Sequence, residues 1–114
     1  MKYIGNTLKN YLDDLWAKKS APGGGSAAAL AGALGAALLG MSGNFSIGKS
    51  KDRAHEKDIE DILKVSEYLK SRFEELIDKD VDAFLKLKSA LKNKSGNDIL
   101  QMCYKESASV PLEI

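Results

Sequence analysis

The stretch Ala21–Phe45, APGGGSAAALAGALGAALLGMSGNF, places a proline and three glycines before a long uncharged run of alanine, leucine and glycine. Small residues recur at every fourth position, which on a helix forms a smooth strip that a neighbouring backbone can approach closely. Each interior glycine costs about 0.5–1 kcal/mol of helix stability relative to alanine, a cost that predicts tight packing. We therefore expect a central helix from Ser26 to Asn44, N-capped by Ser26 and enclosed by other helices. The strip consists of Ala28, Gly32, Ala36 and Gly40.

Three further helices are predicted around this one. Apolar residues at helical spacing indicate a first helix from Tyr3 to Lys19 and a fourth that begins near Asp98. A long third helix, Ala54 to Lys92, carries a row of residues at alternating steps of three and four, which is typical of a helix packed lengthwise against a partner. This row, the seam, consists of Ile62, Ser66, Leu69, Phe73, Leu76, Asp80, Ala83, Leu87 and Ala90. The candidates for burial in the fourth helix are Ile99, Leu100, Met102, Cys103 and Ala108. The fold class is all-α, a helical bundle with a central Ala/Gly-rich helix and one long helix.

Composition narrows the class of protein. The 114 residues suffice for one domain, and 17 basic against 16 acidic residues leave a net charge of +1. Such a balance favours neither a nucleic acid nor a membrane surface as the main partner. Cys103 is the only cysteine, so no internal disulfide forms, which fits a reducing compartment. The residues from Ser26 to Asn44 are almost long enough to span a bilayer, but alanine and glycine insert weakly, so a core helix is favoured.

The glycine run before the central helix is a candidate anion site. Gly23, Gly24, Gly25 and Ser26 lead into a helix N-terminus, where free N–H groups and the helix dipole favour negative charge. The run lacks the lysine of a phosphate-binding loop, and no strand precedes it as in a dinucleotide site. The alternative is an ordinary turn between two helices.

Asp80 is the most informative single residue, because a carboxylate is not expected on a packed seam. A buried carboxylate with a raised pKa can donate and accept a proton, or it can simply pair with a cation or a capping N–H. Lys49 could bind an anion or be a solvated loop lysine. His55 is interpreted as a solvated or capping residue and Cys103 as a small buried hydrophobe. No cluster has metal-ligand spacing, so no metal site is predicted.

Three stretches of the chain resemble one protein family, in the same order and at comparable spacing. The run APGGGSAAALAGALGAALLGMSGNFSIGK, the segment KDVDAFLKLKSALK and the segment KESASVPLEI are similar to the cyclodeaminase/cyclohydrolase family. This family comprises the C-terminal domain of formiminotransferase-cyclodeaminase and free-standing methenyltetrahydrofolate cyclohydrolases. The first stretch is specific, whereas the other two are weak by themselves.

The resemblance implies an all-helical fold and a folate substrate. Members convert formiminotetrahydrofolate to methenyltetrahydrofolate with loss of ammonia, or hydrolyse methenyltetrahydrofolate to formyltetrahydrofolate. For this chain it implies a cytoplasmic folate enzyme without a tightly bound cofactor, with a tetrahydrofolate derivative as substrate and a homodimer or larger homo-oligomer as its assembly. We expect Asp80 to supply or relay the proton, and Gly23, Gly24, Gly25, Ser26 and Lys49 to hold the folate carboxylates.

Family domains continue beyond the Val-Pro segment, whereas this chain stops there. We therefore expect residues 1–114 to be a single helical domain that is incomplete at its C-terminal end. The alternative to an enzyme is a non-catalytic, truncated helical module that oligomerises, with or without folate binding. The downstream reading frame distinguishes the two, since a frame that continues makes the chain a piece of an enzyme, and absence of folate binding by the folded protein favours the module.

Overall fold

The computed structural model describes residues 2–92 and 97–113, with side-chain environments for 2–92 and 99–110. It contains four helices: α1 Leu8–Trp16, α2 Gly24–Ser46, α3 Arg53–Lys92 and α4 Asn97–Glu113. The described residues form no strand, and the predicted all-α helical bundle with one long helix is confirmed. The molecule is elongated, measuring 64 × 31 × 17 Å, because α3 alone is roughly 60 Å long.

Helices α2 and α3 form an antiparallel pair whose spacing is set by glycine. The contacts run in opposite directions along the two helices: Gly25 lies beside Asp80, Gly32 beside Phe73 and Gly43 beside Leu63. A Cβ placed on Gly32 would lie 2.7 Å from the Phe73 ring, and one on Gly43 would lie 2.8 Å from Leu63 Cδ2. The side chains of Phe73 and Leu63 therefore lie directly against the α2 backbone at these glycines and would have to shift for any larger residue, which supports the prediction that the interior glycines serve packing.

The α3 seam is confirmed as the packed face of the long helix. Ser66, Leu76, Asp80, Ala83 and Ala90 are buried, whereas Ile62, nearer the start of the helix, is 42% exposed. Most charged residues of α3 lie on its exposed faces, whereas Lys70 and Glu74 are half-buried and form an i,i+4 ion pair at 2.9 Å. The alternation of three and four residues therefore predicts the orientation of α3 correctly along most of its length.

The small-residue face of α2 differs from the predicted strip. Four residues advance about 40° beyond a full turn, so a strict spacing of four drifts around the helix. Ala28, at one end of the predicted strip, is consequently exposed. The buried face alternates steps of three and four, like the seam it contacts, and consists of Ser26, Ala29, Ala33, Ala36 and Gly43.

The prediction that α2 is enclosed on all sides is wrong for the chain as described. A second stripe on α2 remains exposed, since Leu34, Leu38, Met41 and Phe45 show 59%, 60%, 51% and 68% of their surface. We call these four residues the α2 apolar stripe. By length and composition α2 would also suffice to cross a membrane, a test that the core helix of a soluble protein passes as well.

Helix α1 is shorter than the predicted Tyr3–Lys19. It begins after Thr7, whose hydroxyl caps it by accepting the Asn10 N–H at 3.1 Å. The residues before it lie on α3 instead, because the Asp78 carboxylate accepts the N–H of Tyr3 at 2.6 Å and that of Ile4 at 3.1 Å. Of the predicted apolar face of α1, only Tyr11 is buried within the helix, whereas Trp16 is 91% exposed.

Helix α4 packs antiparallel against the C-terminal half of α3, with Lys86 and Glu106 forming an exposed ion pair at 3.4 Å. Its burial pattern corrects the prediction. Ile99 and Met102 are 55% and 70% exposed and Ala108 is exposed, whereas Leu100 and Cys103 are half-buried. Among residues 99–110, the part of α4 with described side chains, Val110 is the fully buried one, at 1%. Residues 99–110 of α4 therefore bury a narrow face against α3.

Candidate functional site

The carboxylate of Asp80 lies against the N-terminus of α2. Asp80 is 8% exposed, and its carboxylate accepts the backbone N–H of Ser26. A Cβ on Gly25 would lie 2.6 Å from Asp80 Oδ1 and 2.7 Å from Oδ2, so glycine is the residue that leaves room for the carboxylate. An anionic side chain at this position also interacts favourably with the helix dipole. The interpretation of Asp80 as the partner of a capping N–H is therefore correct, and it is compatible with a role in chemistry.

Two opposing effects set the protonation of Asp80. Burial raises the pKa of its carboxyl group above the usual aspartate value, and the Ser26 N–H, which favours the charged form, lowers it. Burial is the larger effect, so the pKa is raised overall. A carboxyl group with a raised pKa is easier to protonate near neutral pH, which is what an acid–base group needs.

The Ser26 side chain anchors the first turn of α2 to α1 and α3. Its side chain is fully buried, and its hydroxyl lies 2.9 Å from the Ile77 carbonyl oxygen and 2.8 Å from Tyr11 Oη. The prediction of Ser26 as N-cap is wrong: Gly23 is the N-cap, and Ser26 lies within the first turn of α2. Because the hydroxyl is enclosed by protein groups, a direct contact with substrate would require this turn to rearrange.

Gly23 and Gly24 face open space. A Cβ on either would meet no atom within 4 Å, and Gly24 is exposed. A ligand can therefore approach the turn from this side. The Asp80 carboxylate, however, already occupies the same helix N-terminus, and in its ionised form it would repel a second anion. The predicted anion site and the ordinary turn both remain compatible with this geometry.

The structure does not bring Lys49 to this place. Lys49 is exposed in the loop after α2, at the opposite end of that helix from the glycine turn. The length of α2 separates the two by roughly 33 Å. Asp80, Gly25 and Ser26 thus come together in one chain, and Lys49 lies apart from them.

A groove between α2 and α3 lies near the Lys49 end of α2. It has a volume of about 790 Å³, in the range of small-molecule sites. Gly40 lies on one wall, and Phe45, Ser66 and Lys70 supply aromatic and polar groups. The groove was not predicted from the sequence. The signal for it was the small residues of α2 that face the seam of α3, because small side chains leave space between two helices.

The remaining candidates stay close to their sequence interpretation. His55 is exposed in the first turn of α3, and Cys103 is half-buried on α4. Within the described residues, no three His, Cys, Asp or Glu side chains converge as metal ligands would. Tyr11 is the residue that sequence analysis missed at the Asp80 site, because on α1 it was one of several apolar residues at helical spacing.

Comparison with known proteins adds to this geometry. A family model described as formiminotransferase-cyclodeaminase matches residues 7–114. A methenyltetrahydrofolate cyclohydrolase of Methylorubrum extorquens is 44% identical over 78 residues, which cover 68% of this chain and 38% of that protein. The formimidoyltransferase-cyclodeaminase of Mus musculus is 26% identical over 119 residues, covering 97% of this chain and 22% of that protein.

The fold has a solved counterpart. The crystal structure of formiminotetrahydrofolate cyclodeaminase from Thermotoga maritima matches with a TM-score of 0.85 and 34% identity. The match covers 94% of this chain and 53% of that chain. This chain therefore spans about half of the solved relative and a smaller share of the curated ones.

Proposed function

The chain belongs to the formiminotransferase-cyclodeaminase family, and on that premise we propose that it acts in folate one-carbon metabolism, as a cyclodeaminase or a methenyltetrahydrofolate cyclohydrolase. The observation that carries the proposal is the buried Asp80 carboxyl, held at the N-terminus of α2 by the Ser26 N–H. The relatives include both cyclodeaminases and a cyclohydrolase, and all of them are named for folate chemistry. This supports a tetrahydrofolate derivative as the substrate.

Both reactions need a group that takes and returns protons. In deamination, folate N10 attacks the formimino carbon held by N5, the N10–carbon bond forms, and the bond from that carbon to the departing nitrogen breaks. The departing nitrogen gains two protons, one released by N10 and one from solvent, and leaves as ammonia. In hydrolysis, water adds to the methenyl carbon and the bond to N5 breaks. One water proton goes to N5 and the other is released.

Asp80 is suited to the proton transfer in either reaction. In its ionised form it accepts the proton of N10 or of the attacking water, and in its protonated form it delivers a proton to the departing nitrogen or to N5. The raised pKa brings the two forms closer in population, and the fixed N–H of Ser26 keeps the carboxylate in one orientation. The open glycines Gly23 and Gly24 leave room beside it for a ligand.

A Lys49 that binds the folate tail must belong to another copy of the chain. The roughly 33 Å between the glycine turn and Lys49 exceeds the length of a folate with one glutamate. The exposed α2 apolar stripe is a surface through which copies can meet. We therefore propose a homodimer or larger homo-oligomer whose sites combine Asp80 of one chain with Lys49 of a second.

Mixing two inactive variants tests the shared site. Asp80→Asn chains and Lys49→Ala chains, each weakly active alone, are mixed under conditions that exchange subunits. If the site is shared, a mixed dimer contains one intact site, and up to about a quarter of the full activity returns. If both residues serve one chain, mixing restores nothing, and if Lys49 has no role, the Lys49→Ala chains are fully active before mixing.

Folate binding and turnover test the function itself. Calorimetry with tetrahydrofolate should show saturable binding, and methenyltetrahydrofolate formation from the formimino substrate should fall about 10²-fold or more in Asp80→Asn. Asp82→Asn is the matched control, since it removes the same charge from an exposed position two residues further along α3. Full activity of Asp80→Asn would refute its acid–base role.

A second candidate, a non-catalytic module that oligomerises, is favoured by the exposed α2 apolar stripe. It predicts a folded protein that assembles and has no turnover, with or without folate binding. A cytoplasmic, soluble protein is expected in both cases. Recovery of the protein in the membrane fraction would contradict that expectation and would favour insertion of α2.

A further inference from the structure

A chain of hydrogen bonds connects α1 to the Asp80 site. Tyr11 Oη lies 2.8 Å from Ser26 Oγ, and Ser26 Oγ donates to the Ile77 carbonyl oxygen at 2.9 Å. A carbonyl oxygen only accepts, so the single hydroxyl proton of Ser26 is used there and Tyr11 must be the donor in the first bond. Ser26 is thereby attached to α3 twice, through its hydroxyl to Ile77 and through its N–H to Asp80.

Burial and a ring contact hold the Tyr11 side chain in place. It is 4% exposed, and its ring packs edge-to-face on Tyr3 with centroids 5.2 Å apart. Burial raises the pKa of Tyr11, so its hydroxyl keeps its proton and remains a donor at neutral pH. Without it, the enclosed Ser26 oxygen loses its donor, and the first turn of α2 is no longer fixed from the α1 side.

We propose that Tyr11 is a positioning residue for the Asp80 carboxylate and acts through Ser26. This inference rests on the proposed acid–base role of Asp80 for its importance to function.

Few other charged groups lie near enough to Asp80 to influence the pKa of its carboxyl group. Helix α1 contributes Tyr11, α2 carries no charged residue, and α3 contributes Asp78, which is engaged by the N–H groups of Tyr3 and Ile4. On α4 the described ion pair of Glu106 with Lys86 lies further along α3.

The test is a pH titration followed by NMR in the absence of substrate, using the Asp80 side-chain carbonyl carbon and the Ser26 amide as probes. In Tyr11→Phe, the Asp80 titration midpoint should rise by about half a pH unit, because the Ser26 N–H is held less firmly against the carboxylate. The response of the Ser26 amide to pH should shrink in parallel.

Tyr3→Phe is the matched control. Tyr3 packs against Tyr11, and its substitution by phenylalanine also removes one hydroxyl group. In the unchanged protein, however, that hydroxyl donates to Asp14 at 2.8 Å and does not contact Ser26. Its midpoint should equal that of the unchanged protein. Ser26→Ala keeps the backbone N–H and should raise the midpoint as Tyr11→Phe does, and adding Tyr11→Phe to it should have no further effect.

An unchanged midpoint in folded Tyr11→Phe, or an equal rise in Tyr3→Phe, would overturn the proposal. If Tyr11→Phe does not fold, the Ser26→Ala variant alone provides the test. An unchanged Asp80 titration midpoint in Ser26→Ala would then overturn the proposal. The titration needs no folate. A protein that binds no folate yet shows the Tyr11-dependent midpoint would refute the proposed function and support the positioning role.

Discussion

At the scale of single residues, Asp80 makes stability depend on pH in an unusual direction. Burial raises the pKa of its carboxyl group, so the folded protein holds the proton more tightly than the unfolded chain does. From the ordinary aspartate value of about 3.9 up to the raised folded value, the free energy of unfolding therefore falls as pH rises. Above the folded value, the ionised carboxylate carries a constant cost.

The Asp80→Asn variant measures this effect. Its amide oxygen can still accept the Ser26 N–H, but it has no proton to lose. Relative to the unchanged protein, the variant should gain stability as pH rises above about 4, until Asp80 of the folded unchanged protein is fully ionised, measured by urea unfolding. Asp14 and Glu56, whose pKa values are lowered by Lys19 and by the Gly48 N–H, act in the opposite direction in both proteins and cancel in the difference. A difference that is flat with pH would contradict the raised pKa.

At the scale of helices, two glycines on α2 should respond oppositely to the same substitution. Gly32→Ala places a methyl group 2.7 Å from the Phe73 ring, which must move, so we expect a loss of about 1–3 kcal/mol. Gly35→Ala meets nothing within 4 Å and should gain up to about 1 kcal/mol from helix propensity. Thermal or urea unfolding gives both values, and a gain in both variants would show that α2 and α3 are not in close contact at Gly32.

The attachment of the N-terminal segment to α3 gives a second prediction at this scale. Asp78 accepts two N–H groups, those of Tyr3 and Ile4, and hydrogen bonds to a charged group contribute about 1.5–3 kcal/mol each. Asp78→Ala should release residues 2–6 and increase amide exchange in α1, while α3 remains protected. Asp82→Ala, at an exposed position, should leave exchange in α1 unchanged. Equal exchange in the two variants would contradict a role of Asp78 in attachment.

At the scale of the whole molecule, the α2 apolar stripe should control assembly. Leu38 is 60% exposed at its centre, and a charge there would be buried in any contact through this face. Leu38→Glu should therefore reduce the sedimenting mass to that of one chain. Leu91→Glu, 48% exposed on α3 outside the stripe, is the control and should keep the assembly. A monomer before substitution, or an assembly insensitive to Leu38, would contradict the proposed oligomer.

The sequence by itself determined the helices and the packed face of α3, because both depend on local periodicity. Steps of three and four residues orient the long helix whatever it contacts, and Asp80 was recognisable as a carboxylate on an apolar seam. The interior glycines likewise indicated close packing of α2. The ends of α1 were less predictable, since the Thr7 cap and the attachment of Tyr3 to Asp78 replace the helix that periodicity favours.

Only the tertiary structure decided which residues share a site. Gly25 and Asp80 are 55 residues apart in sequence and meet because α2 and α3 are antiparallel and in one register. The same register buries Ser26, recruits Tyr11 from α1 and leaves Lys49 at the far end of α2. Local patterns specify which face of a helix is packed, but the axial register depends on side chains fitting across two helices. Proximity between distant residues is therefore a property of the packed pair and not of either segment.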